Sequence, residues 1–280
     1  MKNLQQIKDL IRNKARETGI HAQVLLRIYM LERLLERIAL SEYRNKIVLK
    51  GGMLVAAEVG VSHRSTIDMD VTLKNYPLSV ETARDIFHSI ISVSINDGVT
   101  MELKDAVIIR EQADYNGVRL SLEARLGDAR VPLKVDITAG DALTPGAVVY
   151  SFDLLLEGKS IDILAYNIET VIAEKLETIL SRGIANSRMR DFYDLHILFK
   201  LRRQAIDAQT VNRAVLATSH RRGSSGLLPE GKVIFEEIFS SESLFKSWER
   251  YRGEYPFASD ISWDDVKISV FQLWDMVDRP

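Results

Sequence analysis

Residues Lys50 to Leu73, KGGMLVAAEVGVSHRSTIDMDVTL, constrain this chain more than any other stretch. From Thr66 onward polar and apolar residues alternate. Ile67, Met69, Val71 and Leu73 fall on one side, and Thr66, Asp68, Asp70 and Thr72 on the other. Successive side chains of a strand point to opposite faces. The pattern therefore predicts a strand from Thr66 with one buried face, and with Asp68 and Asp70 projecting together from the other. Two carboxylates with no positive residue between them repel, and a divalent cation relieves that cost. Hard oxygen ligands of this kind suit Mg²⁺, which is usually held by one or two carboxylates plus substrate phosphates. The plainer alternative is an edge strand whose aspartates are merely solvated.

The glycine pair upstream narrows the choice. RNKIVL, residues 44–49, turns apolar at Ile47, and Gly51-Gly52 follow one residue after it. Glycines open backbone geometries closed to other residues and let amides approach a phosphate. Met53 to Val59 then reads as a helix behind that loop, with an N-terminus that favours anions. A glycine loop, a helix and an Asp-x-Asp strand is the order that a nucleoside triphosphate site needs. The loop takes the phosphates and the strand takes the metal. Glycine pairs are also common turn signals, so the pair alone is weak.

Three later segments carry further candidates. NGVRLSLEA (116–124) and VPLKVDIT (131–138) both alternate, and Gly127-Asp128 between them reads as a hairpin turn. In the second strand Val131, Leu133, Val135 and Ile137 share a face, leaving Lys134 and Asp136 on the other. Residues Ile168 to Arg182 form a helix, with Ile168, Val171, Ile172, Leu176 and Ile179 on one arc. Lys175 falls inside that arc, while Glu174 and Glu177 lie opposite. A lysine there either snorkels to the edge or is held at the wall of a site. In SRMRDFYDLHILFK, Phe192, Leu195, Leu198 and Phe199 keep helical spacing, and Asp191 and Asp194 share a face. Asp191 occupies an otherwise apolar arc, although an acid in a first helical turn is also favoured by the macrodipole.

Gly51-Gly52 followed by Asp68-Met69-Asp70 resembles the hG[G/S]…Dh[D/E] signature of the polymerase-β-type nucleotidyltransferases. The wider text LKGGMLVAAE, RSTIDMD, IAEKLETILSR and RMRDFYDLHILFK resembles the AbiEii/AbiGii toxin family of nucleotidyltransferases, over about residues 45–200. The resemblance implies an α/β (α+β) nucleotidyltransferase domain with a mixed sheet, followed by a mainly helical domain. It also implies transfer of a nucleoside monophosphate from an NTP to an acceptor hydroxyl. Asp68, Asp70 and Asp136 would be metal ligands for Mg²⁺, while Gly51, Gly52, Arg64, Lys175 and Arg190 would bind the nucleotide. Asp191 and Lys175 would join the carboxylates as catalytic residues. The further implications are RNA, tRNA above all, as acceptor, and a toxin of a type IV toxin–antitoxin or phage-defence system with a cognate antitoxin encoded nearby.

The rest of the chain is consistent with that reading. It has 280 residues, 46% hydrophobic and 27% charged, with a net charge of −2, as expected of a globular protein rather than an indiscriminate nucleic-acid binder. Cysteine is absent, which excludes thiolate chemistry. The five histidines lack metal-ligand spacing, and no signal peptide or membrane span is read, so a cytoplasmic location is expected. Basic residues gather beyond residue 185, at Arg188, Arg190, Lys200, Arg202, Arg203 and His220-Arg221-Arg222, where an RNA could lie. The expected organisation is a nucleotidyltransferase domain over 1–165, opening with two helices within 1–41, and a helical domain over 166–280 that completes a cleft. A loop is expected at 220–232, and the many aromatics after Phe235 read as core. Two rival classes remain. One is a haloacid-dehalogenase-type phosphatase using Asp68 as nucleophile in D-x-D-x-T, and the other is a catalytically inert interaction module.

Overall fold

The computed structural model describes residues 4–112 and 115–277; residues 1–3, 113–114 and 278–280, including the start of the predicted N-terminal helix, lie outside the described residues. The chain divides into two compact units, one of residues 1–140 with 148–165 and one of residues 141–147 with 166–280.

The first unit is built on a seven-stranded mixed sheet. In chain order it contains α1 (Leu4–Thr18), α2 (Ala22–Leu40), β1 (Ile47–Lys50), α3 (Gly51–Val59), β2 (Met69–Leu73) and α4 (Val80–Ile91). There follow β3 (Val99–Gln112), β4 (Tyr115–Leu126), β5 (Ala129–Ala139), β6 (Val148–Asp153) and β7 (Ser160–Ala165). The strand order is β3-β4-β5-β2-β1-β7-β6. Most neighbours are antiparallel, while β2–β5 and β1–β7 are parallel. Helix α2 lies against β5 and β7, and α4 against β3 and β4. α2 buries Leu25, Met30, Leu31, Leu34 and Leu35. It also buries Arg37, which donates to Asp97 at 2.8 Å and to the Val99 carbonyl at 2.7 Å, tying the helix to the start of β3.

Two expectations change here. The strand predicted from Thr66 begins at Met69, and Asp68 sits in the bend before it. Local bonds turn the chain, because the Arg64 guanidinium donates to the Ser65 carbonyl and the Thr66 hydroxyl donates to the Asp68 carbonyl. Thr66 is consequently buried and Ile67 is 38% exposed, the reverse of the predicted faces. β2 is also not one-sided. As a central strand it buries Thr72 together with Met69 and Val71, and the Thr72 hydroxyl reaches the Thr138 carbonyl of β5. Strands covered on both faces lose the clean alternation of a half-exposed one.

The second unit is helical: α5 (Ile168–Arg182), α6 (Met189–Arg202), α7 (Ala208–Arg221), α8 (Gly231–Ser240), α9 (Glu242–Glu254) and α10 (Trp263–Trp274). Asn167 caps α5 by accepting the Thr170 amide, and Ser262 with Asp265 forms a capping box on α10. Phe235, Phe239, Trp248, Trp263 and Trp274 are buried, as a core reading requires, whereas Phe245 is exposed. The loop expected at 220–232 is short: α7 runs to Arg221, a 3-10 turn covers Ser225–Glu230, and Gly231 opens α8 beneath the Trp274 ring.

Candidate active site

Asp70 lies at the middle of the first unit's sheet. Its backbone neighbours are Lys50 on β1 and Asp136 on β5. β1 is too short to turn away: it ends at Lys50, and α3 begins at once, so Gly51 and Gly52 are the first residues of that helix rather than a separate loop. Gly51 has φ +66°, and a Cβ there would come within 2.7 Å of the Asp70 Cγ. A Cβ on Gly52 would meet the Thr66 hydroxyl at 2.9 Å and an Arg64 guanidinium nitrogen at 3.1 Å. The Gly52 amide donates to Asp70 Oδ2 at 3.4 Å. The glycine pair is therefore required by side chains already in place. It lets one carboxylate and one guanidinium close on the start of α3.

Burial pushes the Asp70 carboxyl up; Lys50 and the Gly52 amide pull it down, while Asp136 and Asp68 push it further up. Lys50 is itself buried. Asp136 is held by a second cation: Arg119 on β4 donates through Nε and Nη2 to the two carboxylate oxygens, at 2.7 and 2.6 Å. The field of Asp68 and Asp70 also reaches Arg119, whose pKa is raised chiefly by its bond to Asp136. Three carboxylates and three cations, Lys50, Arg64 and Arg119, thus share this part of the unit. Met69 separates Asp68 and Asp70 in sequence, but Lys50 gives Asp70 a countercharge from the neighbouring strand. Among the described residues no group of three or more His, Cys, Asp or Glu side chains stands ready as a metal site. The donors nevertheless fit a divalent ion in kind. They are hard carboxylate oxygens, Asp70 and Asp136 on adjacent strands and Asp68 in the bend before β2, and Asp70 is destabilised as an anion by burial.

The second unit brings together Lys175, Asp191 and Asp194. The Lys175 ammonium donates to Asp191 Oδ1 at 2.9 Å and to Asp194 Oδ2 at 2.7 Å. Burial works against its charge, but the two carboxylates outweigh that and the net shift is upward. Lys175 thus neither snorkels nor stands open. Arg188 approaches Asp191 Oδ2 at 3.1 Å, and exposed Arg190 lies 6.0 Å from the Tyr255 ring centroid. The face of α5 opposite the apolar arc is not solvated either. Arg222 turns inward to Glu177 at 2.6 Å and to Glu174 at 3.0 Å, and Ser224 donates to Glu177 at 2.8 Å. Arg222 accordingly leaves the predicted basic surface, while Arg188, Lys200, Arg202, Arg203 and Arg221 remain exposed.

A helix-starting glycine pair, an Asp-x-Asp at the start of β2 and a carboxylate beside it on β5 lie within the region that a known family's model covers. The family model described as "Nucleotidyl transferase AbiEii toxin, Type IV TA system" matches residues 33–268. The chain belongs to the AbiEii nucleotidyltransferase toxin family. Membership makes it a nucleotidyltransferase and a toxin of the type IV toxin–antitoxin class, with an antitoxin partner and a nucleotide substrate implied. No curated protein matches it. Two solved structures from Helicobacter pylori share the fold. One, named as a nucleotidyltransferase, is 15% identical with a TM-score of 0.51, covering 92% of this chain and 95% of that one. The other, JHP933, is 16% identical with a TM-score of 0.52, covering 92% and 91%. The haloacid-dehalogenase alternative is set aside on the family membership. No helix among the described residues is long and apolar enough to cross a membrane.

Lys50 and Arg119 escaped the reading of the sequence. A signal for Arg119 was present: counting back from the two-residue turn Gly127-Asp128 puts Arg119 opposite Asp136. Nothing local marks Lys50, whose role depends on the β1–β2 register.

Proposed function

We propose that this AbiEii-family chain transfers a nucleoside monophosphate from an NTP to a hydroxyl of RNA, with tRNA the favoured acceptor, using Mg²⁺. The observation that carries the reading is the juxtaposition of Asp70 and Asp136 across β2–β5, with the start of α3 closed against Asp70. The acceptor oxygen would bond to the α-phosphorus as the bond to pyrophosphate breaks, and the hydroxyl proton would pass to a carboxylate or to solvent. Asp68, Asp70 and Asp136 would hold the metal, which when bound would supply Lewis-acid activation of the hydroxyl and offset triphosphate charge. The amides of Gly51 and Gly52, at a helix N-terminus, would receive phosphate oxygens. Arg64, buried beside Gly52, would add a fixed positive charge behind that turn. On motif likeness Lys175 and Arg190 are assigned to the nucleotide, and Asp191 with Lys175 to catalysis. A triphosphate would compete with Asp191 and Asp194 for the Lys175 ammonium, which both acids hold in place. The same proposal covers a role in phage defence and action in the cytoplasm.

The test is incubation of the protein with each labelled NTP, total RNA and Mg²⁺. Label should enter RNA with release of pyrophosphate, and Asp70→Ala should abolish both while the circular dichroism spectrum is unchanged. Neither label transfer nor pyrophosphate release with any NTP would favour the inert-module alternative.

A further inference from the structure

Arg119 stands directly across the β4–β5 pair from Asp136, and Asp136 stands beside Asp70 across β2–β5. The Arg119 fork engages both Asp136 oxygens, so a divalent ion there meets a carboxylate whose charge is already paired and whose oxygens each have one lone pair taken. The arginine side chain is 40% exposed and the aspartate 14%, which puts the cation on the solvent side of the carboxylate. The pair is not needed to fasten the strands, since β4 and β5 stay in unbroken register from Val118 to Leu126. A guanidinium stays charged at any ordinary pH, so deprotonation does not release Asp136, whereas a competing anion can draw the arginine off. Its planar fork fits phosphate as well as carboxylate, so the exchange trades one bidentate contact for another.

We propose that Arg119 is an internal counter-cation that withholds Asp136 from a divalent ion until a nucleotide is present, whose phosphates draw the guanidinium away and release the carboxylate. This rests on the nucleotidyltransferase site proposed above. It makes nucleotide and metal binding mutually dependent, which guards a metal site built from few carboxylates against occupancy without substrate. Linkage requires the dependence to be reciprocal.

The experiment measures Mn²⁺ binding to the full chain by the electron paramagnetic resonance of free Mn²⁺, without nucleotide and with α,β-methylene analogues of the four NTPs. The wild type should bind Mn²⁺ weakly alone and about tenfold or more tightly with an analogue. Arg119→Gln should bind tightly without any nucleotide and lose most of the coupling. Arg119→Lys, which keeps the charge but not the fork, should fall between. Arg119→Gln combined with Asp136→Asn should lose the gain. Unchanged Mn²⁺ affinity in Arg119→Gln would overturn the proposal, and so would a gain that survives in the double variant, because that would be a general charge effect. No Mn²⁺ binding in any variant, with or without analogue, would instead overturn the metal reading of the site, and the proposal with it. The half-exposed position of Arg119 leaves the core intact in each variant, which matching thermal midpoints would verify.

Discussion

A side chain at position 51 would have to occupy space that the Asp70 carboxylate fills, in a backbone region that already disfavours it. These are separable costs. Gly158 also has a positive φ, +59°, but faces open space. Gly158→Ala should therefore lose only the backbone term, about 1 kcal/mol. Gly51→Ala should lose that and the overlap with Asp70 as well, about 3 kcal/mol in all. Denaturant titration of the two variants checks this, and equal losses would show that Asp70 can swing clear. The comparison also shows what the glycine pair does. With the helix and strand that follow, the pair reads as a phosphate loop, yet its tightest constraint comes from Asp70, Thr66 and Arg64 of this chain.

At the scale of the element, α5 departs most from its sequence pattern. One apolar arc is present as predicted, with Val171, Ile172, Leu176 and Ile179 buried. The opposite face is closed by Arg222 on Glu174 and Glu177, and the end of the arc by the contact of Lys175 with α6. Asp194 is fully buried, and the Lys175 ammonium lies 2.7 Å from it. Lys175→Met fits the space but takes the ammonium from a buried carboxylate, and should cost about 3 kcal/mol of stability. Adding Asp194→Asn should recover a large part of it, as measured by thermal or chemical unfolding. A Lys175→Met protein as stable as the wild type would mean that the acids take protons or reach water instead. The stability loss also means that activity of Lys175→Met must be read beside its fraction folded.

For the molecule as a whole, the buried charges of α2 should set part of the pH profile. Glu32 is 2% exposed and accepts the Leu155 amide, with Arg33, Glu157 and Glu36 around it. Burial raises its pKa from 4.5 to about 8, with Glu157 and Glu36 adding to the rise and the Leu155 amide and Arg33 opposing it. A carboxyl whose folded pKa lies above its unfolded value stabilises the fold most when protonated. That contribution is complete below pH 4.5 and is lost as pH rises through about 8. Stability should decline across that window by an amount on the order of 5 kcal/mol from this group at most. Glu32→Gln, which keeps the neutral shape, should flatten the decline. Melting curves at several pH values would show it, and an unchanged slope would assign the profile to other groups.

The amino-acid sequence by itself determined the local elements and much of the candidate site. Periodicity placed α5 at its observed bounds, and the Gly127-Asp128 turn placed the β4–β5 hairpin and the face that carries Asp136. It also placed Asp70 in a strand behind a glycine pair. These follow from neighbours a few residues apart, whose spacing is set by helix and strand geometry. The tertiary structure alone decided which charges meet. Asp70 reaches Asp136 only through the parallel β2–β5 pairing, and Lys50 reaches Asp70 only through the β1–β2 register. The start of β2 at Met69 rather than Thr66, the burial of Glu177 and the two acids on Lys175 depend in the same way on partners distant in sequence. Alternation says which face a side chain leaves from. It does not say what the next strand or helix has put there, because that is decided by packing over the whole fold.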